Sequence, residues 1–181
     1  ESEEQHEEHL RVVLQRLRDH KLTLNLNKCT LFVSEIKFLG HIISAQGIRV
    51  NEEKVKSISD WPEPTYSKDV QRFLGLANYF RRFIQGYSSL AAPLTQLASR
   101  NLKRHHFTAL YSESCKRAFH GIKHALMSAP VLAHPNPNLP YRIVVDASLN
   151  GTGAILMQSD HPIAYHSHKF TTAERNYSAG E

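Results

Sequence analysis

An α+β fold follows from three patterns in the chain. Apolar residues recur at helical spacing through most of the first two-thirds, a hairpin signal around Ala45-Gln46-Gly47 interrupts them, and three short strand-like runs follow one another after residue 140. With 181 residues the chain can hold one ordinary domain or two small ones, and 41% hydrophobic content is enough for a core.

Taken in order, Leu10, Val13, Leu14 and Leu17 stand at i, i+3, i+4 and i+7, which predicts an amphipathic helix from about Glu4 to His20. The acids at its start complement the helix dipole. The alternation Leu22, Leu24, Leu26 within Lys21 to Asn27 predicts a half-buried strand. Glu35 to Ser44 and Gly47 to Val50 read as two further strands around Ala45-Gln46-Gly47, with Gly40 marking a bulge or a close backbone approach. Asn51, followed by Glu52 and Glu53, reads as the N-cap of a helix whose apolar side is Val55, Ile58 and Trp61 and which Pro62 and Pro64 end.

Ser67 is the expected cap of the next helix, Lys68 to about Gln85. Val70, Phe73, Leu74, Ala77, Phe80 and Ile84 share one of its faces, and Arg72, Tyr79 and Arg82 cluster on the other. A tyrosine between two arginines can stack on a sugar or base while the guanidiniums meet phosphates; a plain solvated face has the same pattern. Ser88 to Ala98 reads as a short helix broken at Pro93, and Arg100 to His106 as a basic loop. Cys115, Ala118, Phe119, Ile122 and Leu126 space out another helix. Pro130, Pro135, Pro137 and Pro140 then punctuate an extended linker, where a domain boundary is expected.

After the linker, Tyr141 to Asp146 and Thr152 to Gln158 flank a Ser/Asn/Gly cluster, and His161 to Ser167 makes a third run, so an antiparallel meander is expected. Asp146 closes the first strand behind Ile143-Val144-Val145. An acid after so apolar a run is desolvated unless a cation or donors meet it. A divalent metal is one way to meet it; a cap on the following turn is the other. Ser178 is a candidate cap for a helix that Glu181 barely begins, and a longer parent protein is the expectation.

Charge points to a polyanion. Five of the 17 acids lie in the first eight residues, so the remainder carries 22 basic against 12 acidic side chains, a formal +10. No apolar run approaches the roughly 20 residues that cross a bilayer, and the acidic start is unlike a signal peptide, so a soluble, intracellular protein is expected. Cys29 and Cys115 are far apart, which argues against a disulfide framework or a cysteine zinc site. His161, His166 and His168 lack partners at a usual ligand spacing, so zinc is not expected there.

Several blocks, in this order and spacing, resemble the Pol polyprotein of gypsy-type LTR retrotransposons. They are Leu24 to Cys29, Phe38 to Ile48, Trp61 to Pro64, Phe73 to Ile84, Ala91 to Leu94, Ser128 to Leu132, Asp146-Ala147-Ser148 and Ala173 to Tyr177. One departure is visible: where relatives carry a Trp before the Cys115 helix, this chain has Phe107-Thr108-Ala109-Leu110. The resemblance implies the end of a reverse transcriptase palm with its primer-grip hairpin (1–50), a helical thumb (51–100), a connecting region and linker (101–140), and the first three antiparallel strands of a ribonuclease H-like fold (141–181).

The same resemblance assigns roles. Phe38, Leu39, Gly40 and His41 would lie in the primer grip, and Arg72, Tyr79 and Arg82 would contact the backbone of a template-primer duplex or RNA/DNA hybrid. The family's polymerase acids precede Glu1. Asp146 matches the first acid of the ribonuclease H site, where clustered carboxylates hold two Mg²⁺ about 4 Å apart. The next acid is expected at Glu181 or two residues beyond it, so the chain by itself is expected to cleave nothing. The expected function is therefore that of the duplex-holding part of a reverse transcriptase/ribonuclease H, joined to the rest of a Pol polyprotein in a cytoplasmic particle or the nucleus. A non-catalytic nucleic-acid-binding remnant or domesticated module is the alternative.

Overall fold

The computed structural model describes residues 2–100 and 104–177. The described chain divides into two compact units, Glu1–Ser34 and Glu35–Glu181.

The first unit is built on helix α1 (Glu3–Asp19), which starts with a reciprocal cap: Gln5 N–H donates to Ser2 Oγ and Ser2 N–H to Gln5 Oε1. None of its residues is buried, and Val13 and Leu14 remain 52% and 40% exposed. The expected strand over Lys21 to Asn27 does not form. Lys21 turns through positive φ, Leu22, Leu24 and Leu26 are exposed, and a short 3-10 turn occupies Leu26–Lys28. Alternation specifies a face only where a neighbouring strand supplies the ladder, and the described residues offer none here.

The second unit opens with strands β1 (Glu35–Phe38), β2 (His41–Ser44) and β3 (Gly47–Val50), each antiparallel to the next. Gly40 is thus no bulge. With Leu39 it forms a two-residue turn of positive φ, 48° and 79°, the geometry that matches strand twist in a tight hairpin. Gly47 has φ 132°, and a Cβ there would stand 2.2 Å from Leu132 O, because Ile48 and Leu132 exchange backbone hydrogen bonds of 2.8 and 2.9 Å. Only glycine fits such a position.

Helix α2 (Glu52–Ser59) begins as expected, with Glu53 N–H donating to Asn51 Oδ1. The proline connector after it is fastened to a later helix by Lys123 Nζ donating to Trp61 O and by His120 against Glu63. Helix α3 (Ser67–Tyr79) starts one residue early with Tyr66 at its cap, so Ser67 is not the cap. It also stops short of Gln85: the chain tightens into a 3-10 turn at Arg81–Phe83, which rotates Phe83 and Ile84 into the core. Helix α4 (Tyr87–Ala98) runs through Pro93 unbroken. Burial of Ala91, Leu94 and Leu97 holds it there, and Ser89, whose carbonyl loses its donor, is exposed to solvent.

Of the basic loop expected at Arg100 to His106, residues 101–103 lie outside the described residues, and helix α5 (Arg104–Leu110) already begins at Arg104. Phe107 is buried and stacks on Tyr111, so one ring pair fills the connector at the place where the sequence departs from the family pattern. Helix α6 (Glu113–Met127) buries the five residues its spacing selects, and Phe119 meets Phe73 with ring centroids 4.5 Å apart. Each fully buried phenylalanine contributes about 1.5–3 kcal/mol through apolar burial.

The last sheet is the expected meander, β4 (Arg142–Ser148), β5 (Gly151–Gln158) and β6 (His161–Lys169). It is sewn to the helices. Ser88 N–H donates to Ser167 Oγ, Ser88 Oγ donates to Ser167 O, and Arg82 donates to Ile163 O. The linker is fastened as well, through Ala133 N–H to Pro162 O and the buried Gln158 amide on Asn136 and Leu139. The cap expected at Ser178 lies outside the described residues.

Candidate nucleic-acid interface

The hairpin turn carries visible strain. Leu39 is a bulky residue in the left-handed region, which costs roughly 1–2 kcal/mol, and its side chain gains little in return, being 67% exposed. Two long-range hydrogen bonds hold the turn: Tyr79 Oη donates to Leu39 O at 2.8 Å, and Asn51 N–H donates to Gly40 O at 2.9 Å. Strain that persists under such restraint is a pointer to function.

His41 follows the turn and anchors it. Its ring lies between Tyr79 and Phe83, 5.5 Å from each and nearly parallel to both, with Phe80 edge-on at 5.3 Å. Burial, and then the Arg82 guanidinium, hold its pKa below the ordinary value of 6.5, so the imidazole is neutral at pH 7. Its Nδ1 is buried without a hydrogen-bond partner. His41 therefore acts as an aromatic spacer between hairpin and helix.

The structure thus brings Phe38, Leu39, Gly40, His41 and Tyr79 together, with Phe38 and Tyr79 each more than half exposed. Arg72 lies on the same face of α3, seven residues or roughly 10 Å before Tyr79 along the axis. It is exposed and partly matched by Asp69 at 3.8 Å. Arg82 is off that face, because the helix ends at Tyr79, and it reaches instead toward Ile163 O at 3.4 Å. The sequence could not show these links, since the Tyr79 to Leu39 bond spans 40 residues.

Asp146 sits inside strand β4, opposite Gly153, and not at its end. The turn that follows is held by Ser148, whose Oγ accepts from Asn150 N–H and donates to Gly151 O, so the turn-cap reading of Asp146 is corrected. The expected desolvation is corrected too. β4 is the outer strand of its sheet, paired only with β5, and Ile143, Val144 and Val145 are exposed. The carboxylate has no hydrogen bond or ion pair among the described residues. It borders a cleft of about 200 Å³ that also involves Ser148, Gly153, His166 and Ser89; His166 was not singled out beforehand as a companion of Asp146. No group of three or more potential metal ligands occurs among the described residues. One carboxylate does not make up a metal site, and the described residues alone do not fit a two-metal centre. His168, for its part, faces Glu174 at 3.2 Å.

No helix among the described residues is long and apolar enough to cross a membrane. Residues 111–181 match the family described as an RNase H-like domain found in reverse transcriptase, and residues 1–43 match reverse transcriptase (RNA-dependent DNA polymerase). Among curated proteins, the chain is 37% identical to the retrovirus-related Pol polyprotein from transposon opus of Drosophila melanogaster, over 97% of this chain and 18% of the relative. It is 36% identical to that from transposon 297 of the same fly, over 98% and 16%. It is 32% identical to the transposon Tf2-3 polyprotein of Schizosaccharomyces pombe, over 99% and 14%. The chain therefore spans less than a fifth of the length of these relatives. Among solved structures, it superposes on the foamy viral protease-reverse transcriptase in complex with RNA/DNA hybrid with a TM-score of 0.80 and 27% identity, over 98% of this chain and 24% of that one. The same viral protein in complex with dsDNA gives 0.74 and 27%, over 94% and 36%.

Proposed function

This chain belongs to the reverse transcriptase and ribonuclease H family carried by retrotransposon Pol polyproteins, and we propose that within such a polyprotein it holds the template-primer duplex. The observation that carries this is the strained Leu39-Gly40 turn, pinned by Tyr79 and Asn51 and presenting Phe38, Leu39 and the Tyr79 ring to solvent. A left-handed, exposed leucine costs stability without adding burial, and strain held in this way points to a role outside the fold. As a primer grip it places a strand end, and Arg72 and Arg82 supply positive potential along the adjoining helix and its end. In this reading residues 1–50 close the palm, 51–100 form the thumb, 101–140 connect, and 141–181 begin the ribonuclease H part.

RNA-directed DNA synthesis and cleavage of RNA in hybrids are the proposed activities of the intact protein, which would work in a cytoplasmic particle or the nucleus. Both families use divalent metal ions. Asp146 would supply one carboxylate to such an ion, Mg²⁺ in this reading, whose chemistry is to activate water and steady the leaving oxygen. The described residues do not supply its companions, so this chain alone should bind duplex and catalyse neither reaction. That separation also favours, for the isolated chain, the reading as a binding module.

The test is fluorescence anisotropy with labelled RNA/DNA hybrids of unrelated sequence at several salt concentrations. Binding should weaken steeply with salt, and Arg72→Ala with Arg82→Ala should lower affinity alike for every sequence. Binding indifferent to salt, or no binding, would overturn the proposal.

A further inference from the structure

The charges around the hairpin turn can be assigned one by one. Glu52 and Glu53, the acids in the first turn of α2, are each matched from the sheet, by Arg49 at 3.0 Å and by Lys37 at 2.8 Å. Arg49 also meets Glu35 at 3.2 Å. Arg72 has Asp69 and the Tyr66 hydroxyl, and Arg82 has the Ile163 carbonyl. Lys54 is different: it takes part in no hydrogen bond or ion pair among the described residues. The nearest acid along the chain is Glu53; Lys37 holds that carboxylate by a hydrogen bond, and Lys54 acts on it only through space, as the weakest of its influences.

Position adds to the charge argument. The aliphatic stem of Lys54 lies along the turn, so that a Cβ on Gly40 would be 3.6 Å from its Cγ and 3.8 Å from its Cε. Lys54 shares a groove of about 380 Å³ with Leu39, Gly40, Leu76, Tyr79 and Phe80. The Tyr79 hydroxyl is fixed on Leu39 O, while the residue stays 51% exposed, so the ring itself is what faces an incoming group. An unmatched ammonium beside an exposed aromatic and an apolar wall is the combination that takes a phosphate and its neighbouring sugar or base.

We infer that Lys54 contacts a backbone phosphate of a nucleic-acid strand lying in this groove, with the Tyr79 ring receiving the adjacent sugar or base. This rests on the duplex-holding reading above and adds to its turn and Tyr79 ring a residue that reading does not use, Lys54. The experiment compares the parent chain, Lys54→Ala and Lys54→Arg for binding to a labelled RNA/DNA hybrid between about 50 and 200 mM salt. Losing one phosphate contact should make the slope of log K against log salt shallower by about 0.9 in Lys54→Ala, whereas Lys54→Arg should keep the parent slope. The stability of Lys54→Ala in urea should stay within about 0.5 kcal/mol of the parent, since the residue is exposed and its ammonium has no hydrogen bond or ion pair to lose among the described residues. If the parent binds with a salt-dependent slope and Lys54→Ala shares it, the Lys54 assignment falls and the duplex reading stands. A parent chain that does not bind, or binds without regard to salt, overturns both.

Discussion

Replacing Gly47 with alanine should be among the most damaging single-methyl changes in this chain. The new Cβ would stand 2.2 Å from Leu132 O and 3.0 Å from Val131 Cγ1, so the linker must move away from β3. Two backbone hydrogen bonds between Ile48 and Leu132 then break, at about 1 kcal/mol net each. The backbone at φ 132° is one that L-residues scarcely visit, which adds roughly 1–3 kcal/mol. Together these amount to about 3–5 kcal/mol, a large part of the roughly 5–15 kcal/mol that a typical domain has. The single Trp61, packed edge-on against Phe73 at 6.1 Å, reports unfolding by fluorescence in urea. With a slope on the order of 2 kcal/mol per molar, the midpoint should fall by about 1.5–2.5 M. Gly86→Asn is the control: its φ of 65° is one asparagine tolerates and a Cβ there meets nothing within 4 Å, so it should lose no more than about 1 kcal/mol. A Gly47→Ala midpoint within about 0.3 M of the parent, at unchanged slope, would refute the close-approach argument.

Three further outcomes are expected. Asp146→Asn should change stability by no more than about 0.5 kcal/mol, since the residue is exposed and its carboxylate has no partner among the described residues; a loss above about 1 kcal/mol in urea would mean that it has a structural partner. Ser88→Ala removes a hydroxyl that both donates to Ser167 O and accepts from Ser167 Oγ, so it should lose about 1–2 kcal/mol and quicken amide exchange in β6. Unaltered exchange there would count against the serine pair as the fastening. His41 has a lowered folded pKa, so the folded state binds fewer protons than the unfolded one near its ordinary value of 6.5. Its contribution is complete above that value and is lost as pH falls from there through the folded pKa. His41→Phe, which keeps the ring stack, should therefore lose less stability between neutral and mildly acid pH than the parent; parallel profiles would sink the idea.

Much of the helical part was legible because burial follows a 3.6-residue period closely enough to pick out residues. The spacing of Cys115, Ala118, Phe119, Ile122 and Leu126 selects side chains that are all at most 5% exposed. Val70, Phe73 and Ala77 behave the same way on α3. The errors arise where the deciding partner is distant in sequence. Leu22, Leu24 and Leu26 alternate like a strand but have no neighbour to pair with among the described residues, and Pro93 is carried inside α4 by packing that local pattern does not contain. Gly40 reads as a bulge or a close backbone approach until its partner strand is known to be the very next segment. For the candidate site, the face bearing Arg72 and Tyr79 was visible, whereas the Leu39-Gly40 turn, hidden inside what reads as one strand over Glu35 to Ser44, and the end of α3 at Tyr79, which removes Arg82 from that face, were not. Asp146 stood out because an acid behind Ile143-Val144-Val145 is unusual; its exposure follows from β4 being an outer strand, which no stretch of local sequence records.

The bonds from Arg82 and Ser88 to β6, with the Ile48 to Leu132 bridge, mean that the gripping turn and the sheet bearing Asp146 travel as one body. Under the proposed function, a strand seated at one end would then reach the other at a span dictated by the polypeptide, as between the jaws of a fixed calliper. Where along a bound duplex the Asp146 edge comes to rest would thus be settled by protein geometry, whatever bases happen to lie between.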